Sequence, residues 1–293
     1  MFAKHLRDTE SFIPETELIL NPDGSVYHLG VIGEQVASDI WVVGDPDRVP
    51  LITQHFDRIE IKLHRREFVI HTGELNGKRL TVVSSGIGVD NIDIVVNELD
   101  AAVNVDPSTR KVRHEHTPLR FLRLGTSGAI QPDIDLGTVV ASRYAYAVDG
   151  VPNTYELEYA DEERELLASL KKEGFQDSGL YAVSCGIPLL ERYPIHQMQG
   201  ITYTANGFYG PQGRSVRLKS KKEQFDREQS FKFHDYRVTN FEMESAGLYA
   251  MSALLGHQAL TCCVILANRA NRCFATNANQ LAEKLIHSAL SAF

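Results

Sequence analysis

The chain has 293 residues, 43% hydrophobic and 23% charged, an ordinary globular composition with length for one large or two ordinary domains. Its formal net charge of −8 counts against a nucleic-acid or anionic-membrane surface, so any bound anion would need local arginines working against the overall field. Cys185, Cys262, Cys263 and Cys273 show no C-x-x-C spacing, no apolar stretch approaches the ~20 residues of a membrane span, and MFAKHLRDTESFIPE lacks a signal-peptide core; free buried thiols, no metal site and a cytoplasmic location are expected.

In chain order, residues 1–26 are mixed and polar without periodicity and read as a loose arm, followed by Tyr27-His28-Leu29-Gly30. Ile40-Trp41-Val42-Val43 is a short buried strand ending in Gly44-Asp45-Pro46-Asp47-Arg48, and the helical pattern from Val49 to Phe56 puts Arg48 near a helix N-terminus, where amide donors favour an anion. A structural salt bridge is the plainer alternative for Arg48. His64-Arg65-Arg66 before Glu67-Phe68 reads from sequence alone as a solvated edge. Arg79 to Ser85 is a second β-rich run closed by Gly86-Ile87-Gly88. Asn91 to Val103 then carries Ile92, Ile94, Val95 and Leu99 at helical spacing. Residues 106–119 form a hydrophilic connector.

Phe121, Leu122 and Leu124 make the next buried strand with Arg123 inside it, and Gly125-Thr126-Ser127-Gly128 reads as a turn that ends the strand. Glycines let a backbone approach a ligand, so amides and hydroxyls can converge on an oxyanion, and a guanidinium fork beside them suits phosphate. A tight turn with Arg123 reaching solvent is the alternative. Thr138 to Ala147 returns to β character, Glu158 to Glu173 is an amphipathic surface helix, Tyr181 to Ile187 a strand, residues 188–196 a helix or turn, and Gly200 to Ala205 a strand. The loop Asn206 to Arg214 has three glycines and a proline, which exclude regular structure. Its Phe208, Tyr209, Gln212 and Arg214 are tools for reading a heterocycle, though an irregular surface loop has the same composition. Lys219 to Phe233 is a charged segment with no assignable chemistry. Glu242 and Glu244 fall at the turn into a strongly helical Ala246–Leu255, where a carboxylate can hold sugar hydroxyls; acids favoured by the helix dipole are the alternative, which fits Glu244 nearly as well. Thr261 to Ala267 is a buried strand ending at Asn268-Arg269, and Gln280 to Phe293 is a closing amphipathic helix.

Apolar runs at 40–43, 79–85, 121–124 and 261–267, each followed by a polar or glycine-rich loop and interspersed with helices, indicate a mostly parallel or mixed α/β sheet. Ligands of such sheets lie beyond the carboxyl ends of the strands. Arg48, Arg123 and Arg269 at three of those ends point to an anionic substrate, together with a planar ring and hydroxyls.

Gly44-Asp45-Pro46-Asp47-Arg48, Gly86-Ile87-Gly88, FLRLGTSGAI, GFYGPQGR and NFEMES resemble, in content and order, the nucleoside phosphorylase superfamily. GFYGPQGR is similar to the loop of the uridine phosphorylases. The resemblance implies a three-layer αβα fold with a central mixed β-sheet, over residues 27–293 as a single domain. It implies phosphate binding by Gly44, Arg48, Arg123 and Thr126, with Arg66 reaching a neighbouring subunit's site and His28 a neighbour's sugar 5′-hydroxyl. It implies base binding by Phe208, Gln212, Arg214, Asn268 and Arg269, and ribose binding by Glu242, Met243 and Glu244. Arg123, Gln212, Arg214 and Glu244 are the expected catalytic residues. Purine-specific relatives carry an aspartate as general acid where Asn268 stands, and an amide cannot protonate a leaving base, so a pyrimidine is expected.

The implied reaction is reversible phosphorolysis of uridine to uracil and ribose 1-phosphate, with inorganic phosphate as co-substrate, no cofactor, and self-association as a dimer or hexamer. A purine nucleoside phosphorylase or a hydrolytic nucleosidase is the alternative within enzymes, and a non-catalytic nucleoside binder the alternative outside them. Val89-Asp90-Asn91 after the Gly86-Ile87-Gly88 turn departs from the small residues common there, so the family's monovalent cation at the subunit contact is not assumed, although Glu67 and Ile87 match.

Overall fold

Continuous apolar strands need cover on both faces, which a sheet among helices provides. In the computed structural model, which describes residues 1–4, 6–175, 178–220 and 223–293, the four apolar runs are neighbours in one twelve-stranded mixed sheet. Its strands are β1 (Asp39–Val43), β2 (Arg58–Arg65), β3 (Phe68–Leu75), β4 (Lys78–Ser84), β5 (Arg120–Ala129), β6 (Val139–Ala147), β7 (Tyr181–Ser184), β8 (Met198–Thr204), β9 (Lys232–Phe233), β10 (Tyr236–Glu242), β11 (Gln258–Asn268) and β12 (Cys273–Phe274). The order is β9-β10-β8-β6-β11-β5-β1-β4-β3-β2, with β7 on β6 and β12 on β11. Within it β4, β1, β5 and β11 run parallel side by side, so the loops after these strands gather at one edge.

The sheet also curls. β10 pairs antiparallel with β5 through Asn240↔Ala129 and Phe241↔Gly128, closing a ring through β8, β6 and β11. That pairing brings the start of the NFEMES stretch against the glycine-rich part of β5. It also corrects the reading of Gly125–Gly128 as a turn: the strand runs on to Ala129, with Gly125 opposite Cys263 and Thr126 opposite Val264 on β11. A long-range partner strand that local sequence does not reveal keeps this segment extended.

Seven helices flank the sheet among the described residues: α1 (Arg48–Thr53), α2 (Val89–Asn104), α3 (Asp161–Lys172), α4 (Ile187–Arg192), α5 (Glu223–Ser230), α6 (Ser245–Leu254) and α7 (Ala278–Ala292). α2 buries Val89, Ile92, Val95, Val96 and Leu99, the spacing of one helical face. α6 is buried almost throughout and approaches α2 closely at Gly247, where an added Cβ would stand 2.5 Å from Val89 Cγ1. α5 lies in the charged segment from Lys219 to Phe233, of which residues 221 and 222 are outside the described set.

The polar arm is fastened to the body. Phe2–Ala3 pairs with Leu157–Glu158, and the Arg110 guanidinium donates to the carbonyls of Ile13, Pro14 and Leu18. Arg110 belongs to the connector, part of which forms a small hairpin, Val105–Asp106 with Lys111–Val112. Cys185, Cys262 and Cys263 are free and buried, whereas Cys273, on β12 paired with the end of β11, is free and exposed. No helix among the described residues is long and apolar enough to cross a membrane.

Candidate active site

A cleft of about 910 Å³ opens where the loops after β1, β4 and β11 meet the middle of β5 and the start of α6. Gly44, Asp45, Arg48, Glu67, Arg123, Thr126, Ser127, Phe208, Gln212, Arg214, Glu242, Met243, Glu244 and Arg269 line it, together with Ile87, Asn91, Leu266 and Phe274. This is the size range of small-molecule sites.

Arg123 is the centre of the polar floor. It projects from a central strand and is buried, so its charge needs partners. Glu244 takes a hydrogen bond from Nη2, and Glu242 Oε2 stands 3.3 Å from Nη1. In a strand, residues two apart share a face. Gly125 therefore lies on the face along which Arg123 runs, and a Cβ there would sit 2.1 Å from Nη1 and 2.7 Å from Cys263 Sγ. The glycine is an absent side chain that leaves the guanidinium its channel. The two glutamates hold Arg123 firmly charged, against the burial that alone would lower its pKa. Burial pushes Glu244 above the ordinary carboxylate range, with Glu242 adding to the shift and Arg123 opposing it.

The two carboxylates are held by different donors. Glu242 Oε1 accepts from Thr204 Oγ1 at 2.6 Å and the Ser245 amide at 3.1 Å, while Oε2 accepts from the amides of Glu244 and Ser245, each at 3.0 Å. Glu242 thus binds three donors, the Ser245 amide bridging both of its oxygens, with Arg123 beside it as an ion pair. It holds the amides that open α6, and it lines the cleft as well. Glu244 accepts from the Gly88 amide at 2.8 Å through Oε1, and from Arg123 and the Met243 amide, the latter at 3.3 Å, through Oε2, which leaves an acceptor direction on Oε1. Gly86 and Gly88 adopt φ of +68° and +97°, conformations that favour glycine, and this turn is what aims the Gly88 N–H at Glu244.

Arg48, at the first position of α1, lines the same cleft as Arg123. Burial lowers its pKa and the nearby Arg123 charge lowers it further, with Asp45 and Cys263 opposing. Two guanidiniums that disfavour each other while sharing a cleft with Thr126 and backbone amides suit an anion.

At the other end, Gln212 is buried and accepts from Arg214, whose guanidinium lies 3.8 Å from the Phe208 ring centroid. Arg269 fixes this loop by donating to the carbonyls of Gln212 at 2.9 Å and Gly213 at 3.4 Å. Burial, then repulsion from Arg269, brings the Arg214 pKa down to about 10. An amide and a guanidinium side by side match the alternating donors and acceptors of a pyrimidine edge.

Three expected site residues lie elsewhere. Asn268 is buried but turned away from the cleft: its Nδ2 donates to the carbonyls of Gln131 and Ile134, both at 2.8 Å, and its Oδ1 accepts from the Asn271 amide at 2.9 Å. The expected contact with a base is therefore corrected, and the asparagine pins the β11–β12 hairpin. His28 and Arg66 do not reach the cleft of their own chain. His28 Nδ1 is 2.5 Å from Glu98, its ring meets Tyr27 edge-on at 4.8 Å, and the Arg66 guanidinium lies 5.8 Å from that same Tyr27 ring. They form an outer cluster one residue along the β2–β3 turn from Glu67, which does line the cleft. Phe274, Asn91 and Leu266 line the cleft without having been expected there; Phe274 is an isolated aromatic in a polar run and carries no sequence signal.

Asp100, His116 and His257 bring potential metal-ligating atoms within 4.8 Å of one another away from this cleft. His257 Nδ1 accepts from the Leu119 amide at 3.1 Å, so the ring proton sits on Nε2, facing Asp100 Oδ1 at 3.1 Å. A protonated nitrogen cannot ligate a metal, and the cluster is a histidine–aspartate pair with His116 stacked on it.

Residues 40–292 match the family model described as the phosphorylase superfamily. The chain is 34% identical over 259 residues to a uridine phosphorylase of Thermococcus kodakarensis, covering 87% of this chain and 80% of that relative. It is 30% identical over 247 residues to a uridine phosphorylase of Haemophilus influenzae, covering 83% and 86%. Among solved structures, a Trypanosoma brucei nucleoside phosphorylase described as showing uridine phosphorylase activity superposes with a TM-score of 0.85 at 27% identity, covering 94% of this chain and all of that one.

Proposed function

The chain belongs to the phosphorylase superfamily, and from that premise and the chemistry of the cleft we propose that it catalyses the reversible phosphorolysis of uridine to uracil and ribose 1-phosphate. The observation that carries the reading is one cleft with a cation pair, Arg48 and Arg123, at one end and the Gln212–Arg214 pair at the other. Inorganic phosphate is the co-substrate, and the proposed chemistry needs no cofactor.

In this reaction the C1′–N1 bond breaks with its electron pair leaving on the pyrimidine, and a phosphate oxygen bonds to C1′. Gln212 and Arg214 donate to the carbonyl oxygens on which that charge collects. Gly44, Arg48, Arg123 and Thr126 hold and aim the phosphate, which also offsets the oxocarbenium-like sugar. Glu244 accepts from ribose hydroxyls through its free direction, with Met243 beneath the sugar. Preorganised charge and positioning of this kind supply most of the acceleration without a covalent intermediate.

With Asn268 outside the cleft, the preference for a pyrimidine rests on Gln212 and Arg214 alone. Arg66 and His28 fit the proposal as groups given to a second copy's cleft, which makes a dimer, or a hexamer built of dimers, the active form. Residues 27–293 are taken as one catalytic domain with residues 1–26 clasped to it as an arm, in a cytoplasmic protein. Uridine, inosine and thymidine, each with and without phosphate, test the reading by base release. Phosphate-dependent uracil release is expected. Phosphate-independent release would make it a hydrolase, and no release from any nucleoside would make it a binder.

A further inference from the structure

Two of the groups that hold Arg123 are carboxylates; the third is a thiol. Residues two apart on a strand share a face, as do residues directly opposite on the next strand. β5 and β11 run parallel with Arg123 opposite Thr261 and Gly125 opposite Cys263, so these four point to one face of the sheet. The Arg123 side chain lies over Gly125, and its Nη1 donates to Cys263 Sγ at 3.5 Å. A Cβ on Gly125 would stand 2.7 Å from that sulfur, so the glycine and the cysteine together bound the space the guanidinium occupies.

Cys263 is buried, and burial pushes its thiol up to about 12, with Arg123 opposing and Glu242 and Glu244 adding to the shift. It is therefore a neutral S–H at neutral pH. Glu242 and Glu244 hold Arg123 by ion pairs that also offset its charge, whereas a neutral sulfur fixes Nη1 and takes no charge from it. A guanidinium that is to meet an anion gains from a contact of that kind, which sets its orientation and leaves it positive. Arg123 lines the cleft, and its buried Nε has no hydrogen-bond partner among the described residues, so the fork keeps donating capacity that its protein contacts do not use. We propose that Cys263 is a positioning residue for phosphorolysis, its thiol seating the Nη1 end of Arg123 so that the guanidinium fork stays turned to phosphate. The inference rests on the phosphorolysis reading and adds to it a residue that acts through Arg123.

The test compares the wild type, Cys263→Ala and Cys263→Ser, varying phosphate at saturating uridine and uridine at saturating phosphate, with urea denaturation to place the assay where each variant is folded. Alanine removes both the acceptor and the bulk of the sulfur and frees the fork to rotate. Its KM for phosphate is expected to rise about tenfold and its KM for uridine to stay within about twofold, a partial share of the ~10²-fold that a misplacement of about 1 Å costs. Serine keeps an acceptor on a shorter bond, and its phosphate KM is expected to rise only about threefold. A general loosening of the core would raise both KM values together. Equal rises in the two KM values, a phosphate KM within about twofold of wild type in the alanine variant, or a serine variant no better than alanine overturns the assignment of Cys263 while leaving the phosphorolysis reading standing. A wild type that releases no uracil overturns both.

Discussion

Gly125→Ala is the sharpest probe of how the cleft is built, because it adds one methyl group without touching any charged residue. Its backbone has no positive φ, so alanine is tolerated by the chain itself. The new Cβ would stand 2.1 Å from Arg123 Nη1 and 3.0 Å from Cζ. Restoring an ordinary contact requires the guanidinium to withdraw by roughly 1.4 Å. It cannot do so and keep both Glu244 and Glu242, which hold it at the opposite side. A misplacement of about 1 Å at a reacting centre costs on the order of 10²-fold, and loss of an aimed donor costs about 10²–10³-fold. The expected result is kcat/KM for uridine phosphorolysis down by about 10²–10³-fold with KM for phosphate raised, and stability lower by about 1–3 kcal/mol from overpacking. Continuous absorbance assays of uracil formation far below the melting midpoint, alongside urea denaturation, separate the two effects. A Gly125→Ala enzyme within threefold of wild type would show that Arg123 is free to move without consequence, and its placement in phosphate binding would fail.

Arg123→Ala removes the cation between two buried carboxylates and is expected to cost about 3–5 kcal/mol in urea denaturation as well as the activity, so loss of turnover in that variant is not by itself diagnostic. Asn268→Asp sets a carboxylate against two carbonyls that have lost their donor; denaturation is expected to show a loss of about 1–3 kcal/mol for each, and inosine assays no gain of purine activity. Arg214 must be charged to receive electron density from the base, and its charge is present below about pH 10 and lost as pH rises through it. In kcat/KM profiles the alkaline limb of Arg269→Gln is expected to lie at higher pH than that of wild type, because a repulsive neighbour is gone; the imide proton of uridine titrates alike in both and drops out of the comparison.

The strand-end motifs were legible because parallel strands bury both faces and announce themselves as apolar runs, and because the residues after them have little to do but bind. Arg48, Arg123, Gln212 and Arg214 were found that way, and the structure brings them together in one cleft. What was illegible depends on partners far away in sequence. Gly125-Thr126-Ser127-Gly128 has the composition of a turn, and only the registry with Cys263–Ile265 keeps it extended. Asn268 sits beside a cleft residue, Arg269, but its carboxamide is spent on carbonyls more than 130 positions earlier. Glu242 and Glu244 read alike at the start of α6, and what separates them is far off in sequence: Thr204 on β8 donates to Glu242, and the Gly88 amide before α2 to Glu244. Phe274 owes its place to a hairpin whose stabilising bonds reach back to residues 131–134.

The charges around the phosphate end carry one more consequence. Arg48 and Arg123 bring two positive charges, and Glu242 and Glu244 meet Arg123 with two carboxylates. A phosphate dianion entering there finds donors but little net positive charge to balance it, and low-dielectric surroundings make that imbalance costly. Arg214 and Arg269 cannot supply the balance, since both are tied to the base loop. Arg66 can: it is exposed, held in a left-handed turn conformation, and one residue from Glu67 in the cleft wall. Among the described residues its guanidinium has the Tyr27 ring 5.8 Å away, and on the proposed reading it is offered to a second copy's cleft. On the proposed reading, a second copy's Arg66 would complete the electrostatics of the phosphate site.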